Sequence, residues 1–419
     1  MECFEISGGT PLCGSVMLQG SKNAALPLLA ACILHRGRTI LHNVPDIRDT
    51  AVMIQIMKDL GCVIEKRKRT LIIDAKEADK FLVEPSLGRQ MRSTILLLGA
   101  LLGRNKKAEL PFPGGCIIGM RPIDIHIAAM QGMGAVFEEQ DGMLLASAQK
   151  WQGSEILLRF PSVGATENAV LAAVYAPGIT SIKNCAKEPE VVELCHFLQE
   201  KGARISGEGT DCIQIEGVDE LKDSTYTLMP DRIVAGTYLI AAAATRGKIT
   251  LYGMQPETMQ AVLEILRQMG AVFSCEKECC YLDATKAIYP VRVSTDTYPG
   301  FPTDLQSQLM AALCLAKGTS RVRECIFEGR FRVASWLNRM GANVVTDGRE
   351  ALIQGVAELK GSEVKAQELR GGAALVIAGL AAKGRTQVYG SSFIERGYED
   401  LAGDFRKLGA VISKKTTER

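Results

Sequence analysis

The sequence predicts an α/β protein of two domains, each built from three copies of one repeated unit. A Gly-Ala or Gly-Cys pair follows a helix-like pattern six times, and helices rich in alanine and leucine recur with the same period. The 419 residues are also too many for one ordinary hydrophobic core. The repeated pairs begin at Gly61, Gly134, Gly202, Gly270, Gly341 and Gly409, at intervals of roughly 70 residues.

Each unit is predicted to contain a buried helix, a short strand, an amphipathic helix and a β-hairpin. A glycine directly after a helical pattern is a common stop, because glycine adopts positive φ without strain. The first helix of each unit is apolar nearly all round, which predicts burial. These six helices should end near Gly37, Gly103, Gly178, Gly247, Gly318 and Gly384.

Six units without an obvious linker divide most simply into three plus three. The polar break at residues 221–230 is the best internal boundary, and residues 1–20 read as a strand, a turn and a strand that complete the second half. The predicted domains are therefore 21–229 and 1–20 plus 230–419. We expect two inside-out α/β barrel (prism) domains with a cleft between them.

Composition excludes several classes of protein. The formal net charge is only +2, which argues against nucleic acid or an anionic membrane as the main partner. The chain start lacks the pattern of a signal peptide, and no stretch is apolar enough to span a bilayer. The thirteen cysteines, an odd number, favour reduced thiols in a cytoplasmic protein. The one cysteine cluster, Cys275, Cys279 and Cys280, has no zinc-like spacing, so no metal site is expected.

Residues 108–126 are the strongest candidate for a functional loop. Two prolines precede Cys116, three glycines lie on either side of it, and Arg121 follows five residues later. A nearby cation favours the thiolate, which makes Cys116 a candidate reactive cysteine, although the stretch alone also fits a turn with an inert thiol. The second unit is longer than the other five by about seven residues at this point, which favours a functional loop.

The starts of the buried helices carry cations. Lys22, Arg92, Arg232 and Arg370 all lie in a first helical turn, where a positive charge opposes the helix dipole. Their repetition at equivalent positions indicates a bound anion, since helix N-termini also present free N–H groups. Ligands with phosphate groups are therefore expected. The sequence has neither a P-loop nor a dinucleotide-binding glycine motif, so an ordinary ATPase or dehydrogenase is not indicated.

Neighbouring polar residues leave two interpretations open. Ser21, Thr166, Asp231 and Asp304 are either site residues or ordinary helix caps. The starts of the second helices add further charges, which belong either to the site or to a solvated rim of surface ion pairs. His126 is a candidate ligand or a core histidine. The rim candidates are Arg121, Glu328, Arg330, Glu395 and Arg396.

These residues carry a close resemblance, which runs along the whole chain, to the UDP-N-acetylglucosamine 1-carboxyvinyltransferase family. Members of this family are enolpyruvyl transferases that catalyse the first step of peptidoglycan synthesis. Any single motif is weak, but together they are highly specific. The motifs are Gly-Ser-Lys22-Asn23-Ala-Ala-Leu-Pro, Met-Arg92-Ser, Pro-Gly-Gly-Cys116-Ile-Ile-Gly-Met-Arg121-Pro-Ile-Asp-Ile-His126, Ser162-Val-Gly-Ala-Thr-Glu-Asn, Pro230-Asp-Arg, Phe301-Pro-Thr-Asp304 and Arg396-Gly-Tyr-Glu.

The resemblance implies transfer of the enolpyruvyl group of phosphoenolpyruvate to the sugar 3-hydroxyl, with phosphate released by addition and elimination. It implies no metal, no organic cofactor and no obligate protein partner. Lys22, Arg121 and Arg396 would hold phosphoenolpyruvate and neutralise charge that develops in the transition state. Cys116 would protonate the methylene carbon and react with the epoxide antibiotic fosfomycin, and Asp304 would accept a proton.

By the same resemblance, further residues would contact the two substrates, with Asn23 touching both. They are Lys22, Asn23, Arg92, Arg121, Pro122, Ile123, Asp124, Ile125, His126, Phe160, Pro161, Ser162, Val163, Gly164, Asp304, Ile326, Glu328, Glu368, Arg370 and Arg396.

The chain departs from the family pattern at four of its positions. Glu368 and Glu395 stand where aspartate is usual, Gly329 replaces an asparagine, and Phe160 replaces a lysine found in some members. Two alternatives therefore remain beside the main hypothesis. One is a weakly active or regulatory paralogue that binds UDP-N-acetylglucosamine, and the other is a shikimate-type enolpyruvyl transferase.

Overall fold

The computed structural model describes residues 2–113, 119, 122–286 and 288–416. Two predicted site residues, Cys116 and Arg121, lie outside the described residues. The chain divides into two compact units. The N-terminal unit comprises Gly20–Cys116 and Arg121–Met229, and the C-terminal unit comprises Met1–Gln19, Ile117–Met120 and Pro230–Arg419. Whether residues 21–229 and the remainder are independent domains stays a prediction.

The strands are short, as expected for hairpins and single crossovers in a repeated unit. They are β1 (Glu2–Ser7), β2 (Cys13–Met17), β3 (Arg38–His42), β4 (Val63–Arg67), β5 (Thr70–Asp74), β6 (Lys107–Pro111), β7 (Val136–Gln140), β8 (Met143–Ser147), β9 (Glu155–Leu157), β10 (Ile179–Lys183), β11 (Arg204–Ser206), β12 (Cys212–Glu216), β13 (Ser224–Thr227), β14 (Lys248–Tyr252), β15 (Val272–Glu276), β16 (Cys279–Asp283), β17 (Arg292–Ser294), β18 (Thr319–Arg323), β19 (Asn343–Asp347), β20 (Glu350–Gln354), β21 (Glu363–Lys365), β22 (Arg385–Tyr389) and β23 (Val411–Thr416).

The helices alternate between buried and amphipathic ones, in the order that the repeat predicts. They are α1 (Lys22–Leu34), α2 (Arg48–Asp59), α3 (Pro85–Gly88), α4 (Leu96–Asn105), α5 (Asp124–Gly132), α6 (Val163–Ala173), α7 (Pro189–Glu200), α8 (Arg232–Ala244), α9 (Gln260–Gln268), α10 (Gln306–Leu313), α11 (Val333–Arg339), α12 (Leu369–Ala381), α13 (Ser391–Ile394) and α14 (Leu401–Lys407). Short 3₁₀ turns occupy Arg92–Ile95, Pro256–Met259, Thr303–Leu305 and Arg330–Arg332.

The sheets of the described residues repeat one pattern of pairing. In the N-terminal unit β13 pairs in parallel with β3, which pairs antiparallel with β5, and β5 pairs antiparallel with β4. The sheet β9-β10-β12-β11 has the same order of one parallel and two antiparallel pairs. The three-stranded sheet β6-β8-β7 lacks only a full parallel strand, for which the isolated bridge between Leu82 and Glu109 substitutes.

The C-terminal unit has the same three sheets, but the chain start supplies one strand to each of two of them. β2 pairs in parallel with β14. β1 lies between β22 and β23 and pairs antiparallel with both. The two initial strands therefore lie in different sheets and do not form a hairpin with each other. The third sheet, β17-β18-β20-β19, is built entirely from consecutive parts of the chain.

The core of each unit is a group of three helices that are buried on all sides. In α1 every residue from Ala24 to Leu34 is buried, and α8 and α12 are buried almost as completely. Fully burying one leucine side chain stabilises a fold by about 1.5–3 kcal/mol, so such helices supply much of the driving force for folding. The strands bury only alternate residues, as in β5. Helices inside and half-exposed sheets outside confirm the predicted inside-out α/β architecture.

The six predicted helix stops are confirmed by backbone geometry. Each amphipathic helix is followed by a glycine in the left-handed region, which lets the chain leave the helix and start the hairpin. The φ values are +110° at Gly61, +104° at Gly134, +100° at Gly202, +101° at Gly270, +90° at Gly341 and +84° at Gly409. The sixfold repeat is therefore a property of the backbone as well as of the sequence.

One prediction about the cysteines is wrong. Cys275 and Cys280, expected as reduced thiols, form a disulfide. They are directly opposite each other in the antiparallel β15–β16 hairpin, with Cα atoms 4.0 Å apart. A tight two-residue turn at Lys277 and Glu278 brings the two positions together, and sequence spacing alone does not reveal that register. Within the part of the chain that the structure describes, no helix has both the length and the hydrophobicity needed to cross a membrane.

Alanine substitutions at two of the glycine stops distinguish the effect of backbone strain from that of a steric clash. A Cβ at Gly341 would meet no heavy atom within 4 Å, whereas a Cβ at Gly134 would collide with the carbonyl oxygen of Lys150. We expect Gly341→Ala to lower the free energy of unfolding by about 1–2 kcal/mol through left-handed strain alone. Gly134→Ala should lower the free energy of unfolding by more than Gly341→Ala does, because the Lys150 backbone must also move. Calorimetric unfolding of both variants checks this, and equal losses of stability would contradict the clash.

Candidate functional site at the helix starts

In the N-terminal unit, the start of α1 is stabilised by a cap and an ion pair. Ser21 caps the helix, its Oγ accepting from the N–H of Ala24 at 3.3 Å. Lys22, the first helical residue, places its Nζ 2.6 Å from Asp49 Oδ2, and Asp49 is only 3% exposed. The carboxylate offsets the unfavourable position of a cation at a helix N-terminus. Asn23, the next residue, is half-buried.

Asp49 was not predicted from the sequence. It lies in the first turn of α2, where an acidic residue is a routine helix-start preference, so no local signal distinguished it. Its role becomes visible only because α1 and α2 pack together and bring Lys22 against it. Arg92 begins the 3₁₀ turn that leads into α4 and is half-buried, so its predicted place at a helix start is confirmed.

The segments 122–126 and 160–164, predicted to contact the substrates, lie close together in the N-terminal unit. Asp124 at the start of α5 forms an ion pair with Arg159. His126 is buried, and its Nδ1 lies 2.7 Å from Asn168 Nδ2. Because the amide nitrogen donates, Nδ1 accepts, and a neutral His126 carries its proton on Nε2. Gly164 lies against the imidazole, since a Cβ there would be 3.2 Å from His126 Cε1.

The remaining residues of these segments differ in exposure. Pro122 and Phe160 are exposed, Ile123 is buried, and Ile125, Pro161 and Val163 are half-buried. Ser162 caps α6, with its Oγ accepting from Ala165 N at 3.4 Å. Ser162 thus satisfies one of the free N–H groups at the start of α6.

Two buried carboxyls on α6 and α7 are titratable groups that sequence reasoning missed. Burial, reinforced by the charges of Glu190 and Glu188, raises the pKa of Glu167 well above its usual value. Burial also raises the pKa of Glu193 to about 8, although the bond from the Met229 N–H to its Oε1 opposes the shift. At neutral pH the Glu193 side chain is therefore mainly a neutral acid.

The C-terminal unit concentrates its charge around Asp304. This residue lies in the 3₁₀ turn Thr303–Leu305 that precedes α10. Its Oδ1 accepts from Arg330 at 2.5 Å and its Oδ2 from Arg370 at 2.6 Å. Both arginine side chains are almost completely buried, while that of Asp304 is 26% exposed. Each carboxylate oxygen keeps a second lone pair, so Asp304 can still accept a hydrogen bond from a ligand.

Arg330 corrects one interpretation of the sequence. As a possible member of a solvated rim it should be exposed, but it is buried and bonded to Asp304, 26 residues away along the chain. Burial alone would lower the pKa of Arg370, but the charge of Asp304, assisted by Tyr398, Asp231 and the hydrogen bond, raises it. Arg370 is therefore a permanent cation that stabilises a nearby anion.

Glu368 is part of the same cluster. It caps α12 by accepting from the N–H groups of Arg370 and Gly371, and its Oε2 lies 3.7 Å from Arg330 Nη1. The longer side chain at this position thus performs the capping that an aspartate would. Glu328 is exposed and pairs with Arg349 at 2.9 Å, and Ile326 is half-buried in the same turn.

Arg396 follows α13 and is half-buried. The backbone just after it is fixed by the buried side chain of Gln19, which donates to Gly397 O at 3.1 Å and accepts from Glu399 N at 2.8 Å. Its neighbour Glu395 pairs with Lys414 at 2.6 Å. Arg232 begins α8 and stacks on Tyr298, its Cζ 5.7 Å from the ring centroid.

Comparison with known proteins identifies the family. Residues 6–405 match the family model EPSP synthase (3-phosphoshikimate 1-carboxyvinyltransferase). The chain is 46% identical over 410 residues to UDP-N-acetylglucosamine 1-carboxyvinyltransferase 2 of Caldanaerobacter subterraneus subsp. tengcongensis, covering 98% of each. It is 47% identical to UDP-N-acetylglucosamine 1-carboxyvinyltransferase 1 of Symbiobacterium thermophilum, over 99% of this chain and 95% of that protein.

Solved structures agree. The enolpyruvyl transferase NikO from Streptomyces tendae superposes with a TM-score of 0.90 at 26% identity, covering 100% of this chain and 99% of NikO. EPSP synthase from Acinetobacter baumannii has a TM-score of 0.77 at 19% identity, over 99% of this chain and 100% of that one, and so shares the fold. The chain therefore belongs to the EPSP synthase family of transferases, and within it to the UDP-N-acetylglucosamine 1-carboxyvinyltransferases.

Proposed function

We propose that this protein transfers the enolpyruvyl group of phosphoenolpyruvate to the 3-hydroxyl of UDP-N-acetylglucosamine and releases phosphate, the first committed step of peptidoglycan synthesis. The observation that carries the proposal is identity of 42–47% along the whole chain with several UDP-N-acetylglucosamine 1-carboxyvinyltransferases. The geometry supports it, because Lys22, Asp304 and Arg370 all lie at or beside helix starts, and Arg396 lies just after the end of α13.

The reaction proceeds by addition and elimination. The sugar hydroxyl oxygen bonds to C2 of phosphoenolpyruvate, its proton goes to a base, and C3 gains a proton to become a methyl group. In the second step C3 loses a proton while the bond from C2 to the phosphate oxygen breaks. The products are the enolpyruvyl ether and phosphate, so atoms and charges balance. No metal or organic cofactor is required by this sequence of steps.

Cations should assist the reaction, because they hold the two anionic groups of phosphoenolpyruvate and because elimination develops negative charge on the departing phosphate oxygen. Lys22, Arg121 and Arg396 are proposed to bind phosphoenolpyruvate and to stabilise the charge that grows in the transition state. The bond to Asp49 orients the Lys22 ammonium, which otherwise has a flexible four-carbon stem. An ammonium fixed in this way stabilises an oxyanion without reorganising during the reaction.

Asp304 is proposed as the base and Cys116 as the acid at the methylene carbon. Two guanidinium groups bonded to Asp304 hold its carboxylate in one orientation, and its partial exposure leaves room for the sugar hydroxyl. Cys116, outside the described residues, contributes the proton and is also the nucleophile toward fosfomycin. We further propose a cytoplasmic enzyme with no obligate protein partner.

A shikimate-type transferase is the second candidate, because the matching family model carries the EPSP synthase description. The 19% identity with EPSP synthase from Acinetobacter baumannii, against 42–47% with the relatives above, disfavours it. A coupled phosphate assay with phosphoenolpyruvate and either UDP-N-acetylglucosamine or 3-phosphoshikimate separates the two. If no phosphate is released with either acceptor, although calorimetry shows tight binding of UDP-N-acetylglucosamine, the protein is a regulatory paralogue.

The role of Asp304 is tested by Asp304→Asn. The amide keeps the shape of the side chain but is a far weaker base, so kcat should fall by roughly 10²–10⁴-fold. Binding of UDP-N-acetylglucosamine, measured by calorimetry, should change much less. Asp347→Asn, at an exposed position at the end of β19 in the same unit, is the matched control and should leave kcat unchanged. An Asp304→Asn enzyme with wild-type turnover would rule out the base.

The Lys22–Asp49 pair is tested by comparing a single variant with a double variant. Lys22→Met removes the cation that faces a buried carboxylate, so the free energy of unfolding should fall by about 3 kcal/mol. Lys22→Met with Asp49→Asn should recover most of that stability but none of the activity. Lys66→Met breaks the exposed pair with Asp46 and should cost only about 0–1 kcal/mol. Activity restored in the double variant would remove Lys22 from the mechanism.

Alkylation of Cys116 is best measured without competing thiols. Among the described residues, Cys13 and Cys325 are the exposed free cysteines, so a Cys13→Ser, Cys325→Ser background isolates the reaction. Mass spectrometry after exposure to fosfomycin with UDP-N-acetylglucosamine should find one adduct, on Cys116. The same background with Cys116→Ser should remain unmodified. An unlabelled Cys116 would contradict its assignment as the reactive thiol.

A further inference from the structure

Glu324 is a buried carboxylate that none of the steps above uses. It follows β18 directly and is 0% exposed, in a unit whose other acidic residues mostly face solvent. A carboxylate is seldom buried completely unless its oxygens are satisfied by donors. The donors that bind Glu324 therefore show what the side chain does.

Its two oxygens bind two different segments of the C-terminal unit. Oε1 accepts from the N–H groups of Ile326 at 2.9 Å and Phe327 at 3.0 Å. Oε2 accepts from Thr303 Oγ1 at 2.9 Å. One carboxylate thus joins the turn after β18 to the 3₁₀ turn that contains Asp304, although the two lie more than 20 residues apart along the chain.

Each of the bound segments carries a residue of the proposed site. Thr303 immediately precedes Asp304, so the bond from its hydroxyl fixes the start of the 3₁₀ turn that presents the carboxylate. Ile326 is one of the residues that the family resemblance assigns to the nucleotide-sugar site. Phe327 lies beneath Arg330, whose Cζ is 5.4 Å from its ring centroid, and Arg330 in turn binds Asp304.

The opposite side of the turn is held independently. Arg349 donates to the carbonyl oxygen of Glu324 at 3.3 Å and to Glu328 Oε1 at 2.9 Å, while Thr295 Oγ1 accepts from the N–H of Cys325 at 2.9 Å. These contacts hold the turn to its own strand and to the following hairpin, but not to Thr303 and Asp304. Its connections to them are the Glu324 side chain and the bond from Arg330 to Asp304.

We propose that Glu324 is a positioning residue for the transfer reaction: its carboxylate fixes the distance between Asp304 and the Ile326 side of the nucleotide-sugar site. The proposal rests on the proposed function. In this role the position of the acceptor oxygen matters and the negative charge does not. A glutamine at position 324, whose amide oxygen accepts from the two N–H groups, should therefore replace the glutamate without loss. The amide nitrogen then donates to Thr303 Oγ1, because a hydroxyl oxygen accepts a hydrogen bond as readily as the hydroxyl donates one.

Three variants and a control separate the contributions. Glu324→Ala removes both connections, Thr303→Val removes only the one toward Asp304 while keeping the side-chain shape, and Glu324→Gln retains both. Glu350→Ala, which breaks an exposed ion pair with Arg321 on the neighbouring strand, controls for loss of a carboxylate in this sheet. Each is assayed for kcat, for the KM of both substrates and for calorimetric binding of UDP-N-acetylglucosamine.

Glu324→Ala should lower kcat by roughly a hundredfold and weaken UDP-N-acetylglucosamine binding roughly tenfold, since a misplacement near 1 Å has effects of this size. Thr303→Val should lower kcat roughly tenfold and leave UDP-N-acetylglucosamine binding unchanged. Glu324→Gln and Glu350→Ala should behave as the wild type. Wild-type kcat in both Glu324→Ala and Thr303→Val, or a Glu324→Gln enzyme as impaired as Glu324→Ala, would overturn the proposal.

Hydrogen exchange gives a readout that does not depend on turnover. The amides of Ile326 and Phe327 should exchange at least roughly tenfold faster in Glu324→Ala, and at the wild-type rate in Glu324→Gln and Thr303→Val. If Glu324→Ala fails to fold, the other two variants still decide the question through kcat and exchange. A wild-type enzyme without phosphate release refutes the proposed function, whereas an active wild type with no effect in these variants refutes only the role of Glu324.

Discussion

The structure depends on one constraint, that a helix apolar on every side must be enclosed completely. In each unit three such helices pack against one another, and three sheets of the described residues complete the enclosure. Charged groups are thereby excluded from the middle of these helices and collect at their ends. Because the first four N–H groups of a helix have no partner within it, the starts are also where an anion or a carboxylate is best stabilised. Core packing and the placement of chemistry are thus two results of the same arrangement.

The charges at these starts are arranged as matched sets. Lys22 is bound to Asp49, and Asp304 lies between Arg330 and Arg370. A cation at a helix start is unfavourable alone, and a buried carboxylate is unfavourable alone, but the pair satisfies both. Any anionic ligand of these cations competes with a carboxylate of the protein itself. That competition favours ligands of high charge density, such as phosphate esters, over singly charged acids.

The sequence was sufficient to predict the repeat, because each glycine stop is a local requirement: Gly61 and its five equivalents need positive φ whatever surrounds them. The cations at helix starts were also found locally, from their conflict with the helix dipole. Their partners were not. Asp49 looks like any acidic residue in a first turn, and Arg330 looks like a surface cation, until packing brings them against Lys22 and Asp304. The Cys275–Cys280 bond was missed for the same reason, since it depends on hairpin register.

The two initial strands have a consequence for biosynthesis. β1 and β2 are translated before the other described strands, yet their partners β14, β22 and β23 are translated more than 230 residues later. All partners of β3 to β13 lie between residues 38 and 227, so the N-terminal unit can acquire its sheets while translation continues. Until then the backbone N–H and C=O groups of β1 and β2 lack their sheet partners. During this period chaperones or other nascent-chain contacts are most useful in preventing aggregation of this segment.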